Sequence, residues 1–125
     1  MVTNALGVLL RGWREEARIS LRQFAITVKM DASNYSRIER GLGPKPTEEV
    51  LERIAAGFGI VKEVDPRWYE MVNAVSADRG EFPADLLQRE DVAASLPAFF
   101  RKLRDEGTMT TESMYHLFVE VLSEP

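Results

Sequence analysis

The sequence contains no cysteine and a single histidine, and those two facts remove much chemistry. Without a thiol there is no cysteine nucleophile and no cysteine-based zinc site, and the chain is indifferent to its redox compartment. His116 stands among Tyr115, Leu117 and Phe118 on an amphipathic stretch, which suits packing or a surface position rather than proton transfer. Glu90, Asp91, Asp105 and Glu106 fall at expected helix ends instead of forming an acid and base pair. Arg79, Glu81, Arg89 and Asp91 read as mixed surface charge. No enzyme activity, catalytic residue, metal site or cofactor is therefore expected. No apolar run approaches the ~20 residues of a membrane-spanning helix. The opening MVTNALGVLLRGW also lacks the basic-then-apolar order of a signal peptide. A cytoplasmic chain with no membrane partner is expected. Strand alternation, internal repeats and low-complexity segments are missing as well.

What is present is ordinary in amount but uneven in place. Hydrophobic residues make up 45% and charged residues 29% of 125 positions, enough for one compact domain or two small helical lobes. The net charge of −4 is unfavourable for a nucleic-acid partner until it is divided. Residues 1–60 carry nine basic against seven acidic side chains, and residues 61–125 carry seven against thirteen. Between Arg11 and Lys45 the balance is eight to four. Phosphate contact depends on local placement of charge, so a basic binding lobe followed by an acidic lobe of different purpose is expected.

Nearly everything periodic is helical. Leu6, Leu9, Leu10, Trp13 and Ala17 share one face of a first helix capped by Thr3 or Asn4. Ser20 and Gln23 have capping-box spacing and start a second helix that buries Leu21, Phe24, Ala25 and Val28. Asp31 caps a third, carrying Tyr35 and Ile38 and ending at Gly41. After the break GLGPKP, Thr47 caps a fourth with Val50, Leu51, Ile54, Ala55 and Phe58 inward. Asp65-Pro66 starts a strongly apolar fifth with Trp68, Tyr69, Met71, Val72 and Val75. Residues 76–85 read as a linker. Further helices are expected near residues 85–96, 97–105 and 111–122.

Residues 20–41, SLRQFAITVKMDASNYSRIERG, are the most specific stretch: two short capped helices around a tight turn. Ser20, Phe24, Ala25, Val28, Met30, Ser36, Ile38, Glu39, Arg40 and Gly41, with the following PKPTEEVLERIA, carry a family pattern. In these residues the chain resembles the lambda-repressor-like helix-turn-helix domain of the Cro/CI (Xre) regulators. The resemblance covers about half the chain. It implies an all-α fold: a five-helix DNA-binding domain over residues 1–64, then a small helical dimerisation or regulatory region over 65–125. It also implies a transcriptional regulator of double-stranded DNA, a dimeric repressor of a palindromic operator.

Helical geometry turns Ala32, Ser33, Asn34, Ser36 and Arg37 outward at the start of the expected recognition helix. Asn34 suits a bidentate pair with adenine, and Arg37 suits guanine or a phosphate. Arg22, Lys29, Arg40 and Lys45 are expected on phosphates, joined by the helix-start amides of Ser20 and Leu21. Leu21 stands where many relatives carry a DNA-contacting glutamine, and it cannot donate. Lys29 fills a turn position often held by glycine, where a left-handed backbone costs roughly 1 kcal/mol.

The C-terminal half has more apolar helix than one small domain needs to close its core. Dimerisation is expected through Trp68, Phe99, Phe100, Leu103, Met114, Leu117, Phe118 and Val121, with the fifth helix bridging the lobes. A different reading makes the chain an antitoxin or partner-binding regulator, whose acidic lobe captures another protein.

Overall fold

The structure, a computed structural model, describes residues 4–107 and 110–123, without the side chains at 111, 115, 118, 122 and 123. The cap expected at Thr3 and the Phe118 side chain lie outside the described residues. The helices are α1 (Ala5–Glu16), α2 (Leu21–Thr27), α3 (Ala32–Glu39), α4 (Glu48–Gly57), α5 (Pro66–Arg79), α6 (Ala84–Leu87), α7 (Glu90–Glu106) and α8 (Thr111–Ser123). They make an all-α fold.

The first five helices start where a side chain accepts one of the amides that lack a carbonyl a turn earlier. Asn4 accepts from the Gly7 N–H, Ser20 from Gln23, Asp31 from Ser33 and Asn34, Thr47 from Val50, and Asp65 from Arg67. Their apolar stripes then meet in one core. Leu6 and Leu10 come from α1, Phe24 and Ala25 from α2, Tyr35 from α3, Leu51 and Ile54 from α4, and Trp68, Met71 and Val75 from α5. Each of these larger side chains contributes roughly 1.5–3 kcal/mol by leaving water. Phe24 is central: its ring lies 5.1 Å from Tyr35 and stacks 4.3 Å from Phe58, which Trp13 meets edge-on at 5.6 Å. Ala17 differs from expectation. It follows the end of α1 and is exposed.

The chain divides into two compact units, Met1–Phe82 and Pro83–Pro125. The boundary expected at 64/65 therefore moves to 82/83, because α5 packs against α1 and belongs to the first unit. Trp68 moves with it. At 3% exposure it is part of the first unit's core and is not available to a second copy. The linker expected over 76–85 is also shorter, since α5 continues to Arg79 and stops at Gly80 in the left-handed conformation.

In the second unit, α7 runs unbroken through Pro97, where two separate helices were expected. Proline inside a helix costs about 3 kcal/mol. Here Val92, Leu96, Phe99, Phe100 and Leu103 form one continuous stripe across it, at the i, i+4, i+7, i+8, i+11 spacing, all partly or fully buried. Helix α7 packs against α8, with a Lys102–Glu120 ion pair at 3.0 Å. Leu96, Leu117 and Val121 are buried. Leu117 and Val121, expected at a dimer interface, are thus already covered within one chain. Met114 is exposed, while Phe99, Phe100 and Leu103 are half-buried. No helix among the described residues is long and apolar enough to cross a membrane.

Candidate nucleic-acid interface

The local backbone of the α2–α3 pair follows from its sequence. Helix α2 ends at Val28, and Lys29 takes φ 58°, the left-handed conformation expected at this turn position. The Met30 N–H reaches back to the Ala25 carbonyl at 2.9 Å, closing the turn, and Asp31 then opens α3. Arg53 of α4 donates to the carbonyls of Val28 and Lys29, at 3.1 Å to the former. Sequence spacing alone did not single out Arg53, since nothing local marks an arginine that serves a turn about 25 residues away.

Behind this pair, Arg14 and Glu39 form a two-point ion pair that ties α1 to the end of α3. The Glu39 carboxylate, ahead of other charges, holds the Arg14 guanidinium above its usual range. Tyr35 lies fully buried beside them, and burial pushes its phenol well above the ordinary value, with Glu39 adding to the effect. These residues tie α3 to α1, and only Arg14 keeps a small exposed edge.

On the outer face, Ser33, Asn34 and Arg37 are exposed. The other two expected reading residues are more enclosed. Ala32 packs against the core, and the Ser36 hydroxyl accepts from Arg40 Nε at 3.1 Å. A groove of about 360 Å³ runs between α3 and the following loop, lined by Asn34, Arg37 and Lys45 together with Met30, Pro46 and Val50. A second depression of about 280 Å³ gathers Leu21, Ser36 and Arg40 with Arg11, Arg14 and Glu39, three residues not expected at the interface from the sequence. Ser20 and Arg22 are exposed at the start of α2. Lys29 lines neither hollow and sits by Arg53 at the turn.

Ion pairing distinguishes basic residues within the first unit. Arg11, Arg14, Lys62 and Arg67 each hold a carboxylate. Arg22, Lys29, Arg37, Arg40 and Lys45 hold none among the described residues. These five cations lie in or beside α2 and α3, near the exposed Ser33–Asn34 edge that the Asp31 carboxylate caps. Arg18, Arg53, Arg79, Arg101 and Arg104 likewise hold no carboxylate among the described residues.

Two capped helices, a left-handed turn between them and a polar outer face on the second are the geometry of a known motif. Residues 5–66 match the family model described as helix-turn-helix domain. Residues 5–66 belong to the helix-turn-helix domain family. The match agrees with the resemblance to Cro/CI-type regulators and covers α1 to α4 and the start of α5. Neither a curated protein nor a solved structure matches the chain. A helix-turn-helix domain is a DNA-binding element, and α3 is the second helix of the pair in this one.

Proposed function

We propose that this chain is a sequence-specific regulator of transcription that binds double-stranded DNA through α3 and represses by occupying a palindromic operator. The observation that carries the reading is the cluster of cations that hold no carboxylate among the described residues, around an exposed, hydrogen-bonding helix face. Ser33, Asn34 and Arg37 read base edges, while Arg22, Lys29, Arg40 and Lys45 hold phosphates. Ala32 and Ser36 contribute shape, since one packs inward and the other supports Arg40. The amides at Ser20 and Leu21 face the backbone from the start of α2.

One short recognition helix supplies limited discrimination, so a two-fold dimer reading half-sites about 34 Å apart completes the proposal. Its interface uses Phe99, Phe100, Leu103 and Met114 in the second unit. Sedimentation at micromolar concentration tests this point, and a species of 14.2 kDa alone removes the dimer.

Selection of bound sequences from a random duplex pool tests the function itself. A repeated half-site with two-fold symmetry is expected. A pool without enrichment rejects sequence-specific binding and favours an antitoxin or partner-binding role for the acidic half.

A further inference from the structure

We infer that Asn4 is a positioning residue for DNA recognition, the centre of a latch across three helices that Asp78 anchors. The inference rests on the DNA-binding role proposed for α3. Both residues lie outside the matched segment 5–66, one just before it and one well after.

The carboxamide of Asn4 works in two directions. Its Oδ1 accepts from the Gly7 N–H at 3.2 Å, and its Nδ2 donates to the Glu39 carbonyl at 2.9 Å. Glu39 is the last residue of α3, and its carbonyl has no partner further along the helix. Asp78, in the last turn of α5, accepts from the Ala5 N–H at 2.6 Å and the Leu6 N–H at 3.0 Å. Two side chains from outside α1 therefore take its first three amides. A carboxylate at a helix N-terminus is favoured by the dipole as well as by hydrogen bonding.

The junction has no slack. A Cβ on Gly7 would stand 2.2 Å from the Glu39 carbonyl oxygen, and one on Gly41 would stand 2.7 Å from Asn4 Cγ. Glycine at both places lets α1 and the end of α3 approach until Asn4 spans them. The end of α3 is consequently held twice, at the Glu39 carbonyl by Asn4 and at the Glu39 carboxylate by Arg14.

Holding this end matters because α3 is a short rod. Eight residues span about 12 Å, so a tilt of about 5° at the held end moves the Ser33 end by about 1 Å. Base-edge hydrogen bonds do not survive such a shift, whereas phosphate contacts by long basic side chains do. Asp78 thereby links the end of α5 to the aim of the recognition helix.

Asn4→Ser separates this role from simple capping. Serine caps α1 as well as asparagine but is too short, and has no amide, to reach Glu39. The full chain and its Asn4→Ser and Asp78→Asn variants are titrated on the selected duplex and on a random duplex of equal length, below their unfolding temperatures. The latch requires Asn4→Ser to lower affinity for the selected duplex about tenfold while random-duplex affinity stays within about twofold. Asp78→Asn is expected to shift the same ratio in the same direction. An unchanged ratio in both variants, however far the melting temperature falls, overturns the latch alone. Failure of the unaltered chain to select any sequence overturns the function on which it rests.

Discussion

Arg14 and Glu39 meet inside the first unit as a fork on a fork, Nε to Oε2 at 2.8 Å and Nη2 to Oε1 at 3.0 Å. Their side chains are 12% and 4% exposed. The third arm of Arg14, Nη1, donates to the Ile19 carbonyl at 3.0 Å, so one guanidinium joins α1, the segment before α2 and the end of α3. Removing one partner leaves a charge that water barely reaches. Glu39→Ala is expected to destabilise the fold by about 3 kcal/mol, read from urea unfolding. Replacing both with methionine should recover much of that loss, because a buried pair gains little over good apolar packing.

Arg37 and Lys45 line the same groove but should behave differently on DNA. Arg37→Ala is expected to cost ~1–3 kcal/mol on the selected duplex and to relax preference at one base pair. Lys45→Ala should weaken all duplexes alike and reduce the slope of log affinity against log salt by about 1. Equal effects of Arg37→Ala on selected and random duplexes would place that side chain on the backbone instead.

Lys29 holds a left-handed backbone with φ 58° in a non-glycine residue. Glycine there relieves strain on the order of 1 kcal/mol while removing a cation beside the turn. Lys29→Gly should therefore raise the unfolding midpoint and lower DNA affinity together. A drop in both would show that the lysine side chain stabilises the turn by another route.

Tyr35 links stability to alkaline pH. Its hydroxyl is buried without a hydrogen-bond partner of good geometry among the described residues, and burial, with Glu39 beside it, raises its pKa in the folded chain. The unfolded chain thus releases this proton first, near pH 10, and binds fewer protons than the native state above that point. The stabilisation is complete below pH 10 and declines as pH rises beyond it. Tyr35→Phe should flatten that decline relative to the unaltered chain, with little change at pH 7 because no internal hydrogen bond is lost. Parallel stability curves for the two proteins between pH 9 and about 11 would contradict the assignment.

Much of the first unit was legible in one dimension because its signals are local. Ser20, Asp31, Thr47 and Asp65 accept amides two or three residues ahead, so a cap can be read from the residue and its neighbours. The inward stripes of α1 to α4 follow helical period for the same reason. The exposed Asn34 and Arg37 come with them, since the opposite face of a packed helix is outward.

The sequence by itself determined the starts and caps of the first five helices, the left-handed turn at Lys29 and the polar face of α3, all set by interactions within a few residues. Tertiary structure alone decided what depends on distant meetings. Trp68 could have served a dimer, but packing of α5 on α1 buried it in the first unit. Pro97 could have ended a helix, but one apolar stripe packed on α8 carries α7 through it. Asp78 read as linker until its carboxylate met the first amides of α1, 73 residues from Ala5. Local hydrogen bonds recur whenever a pattern recurs, whereas a pairing across the chain exists only after the core has brought its two ends together.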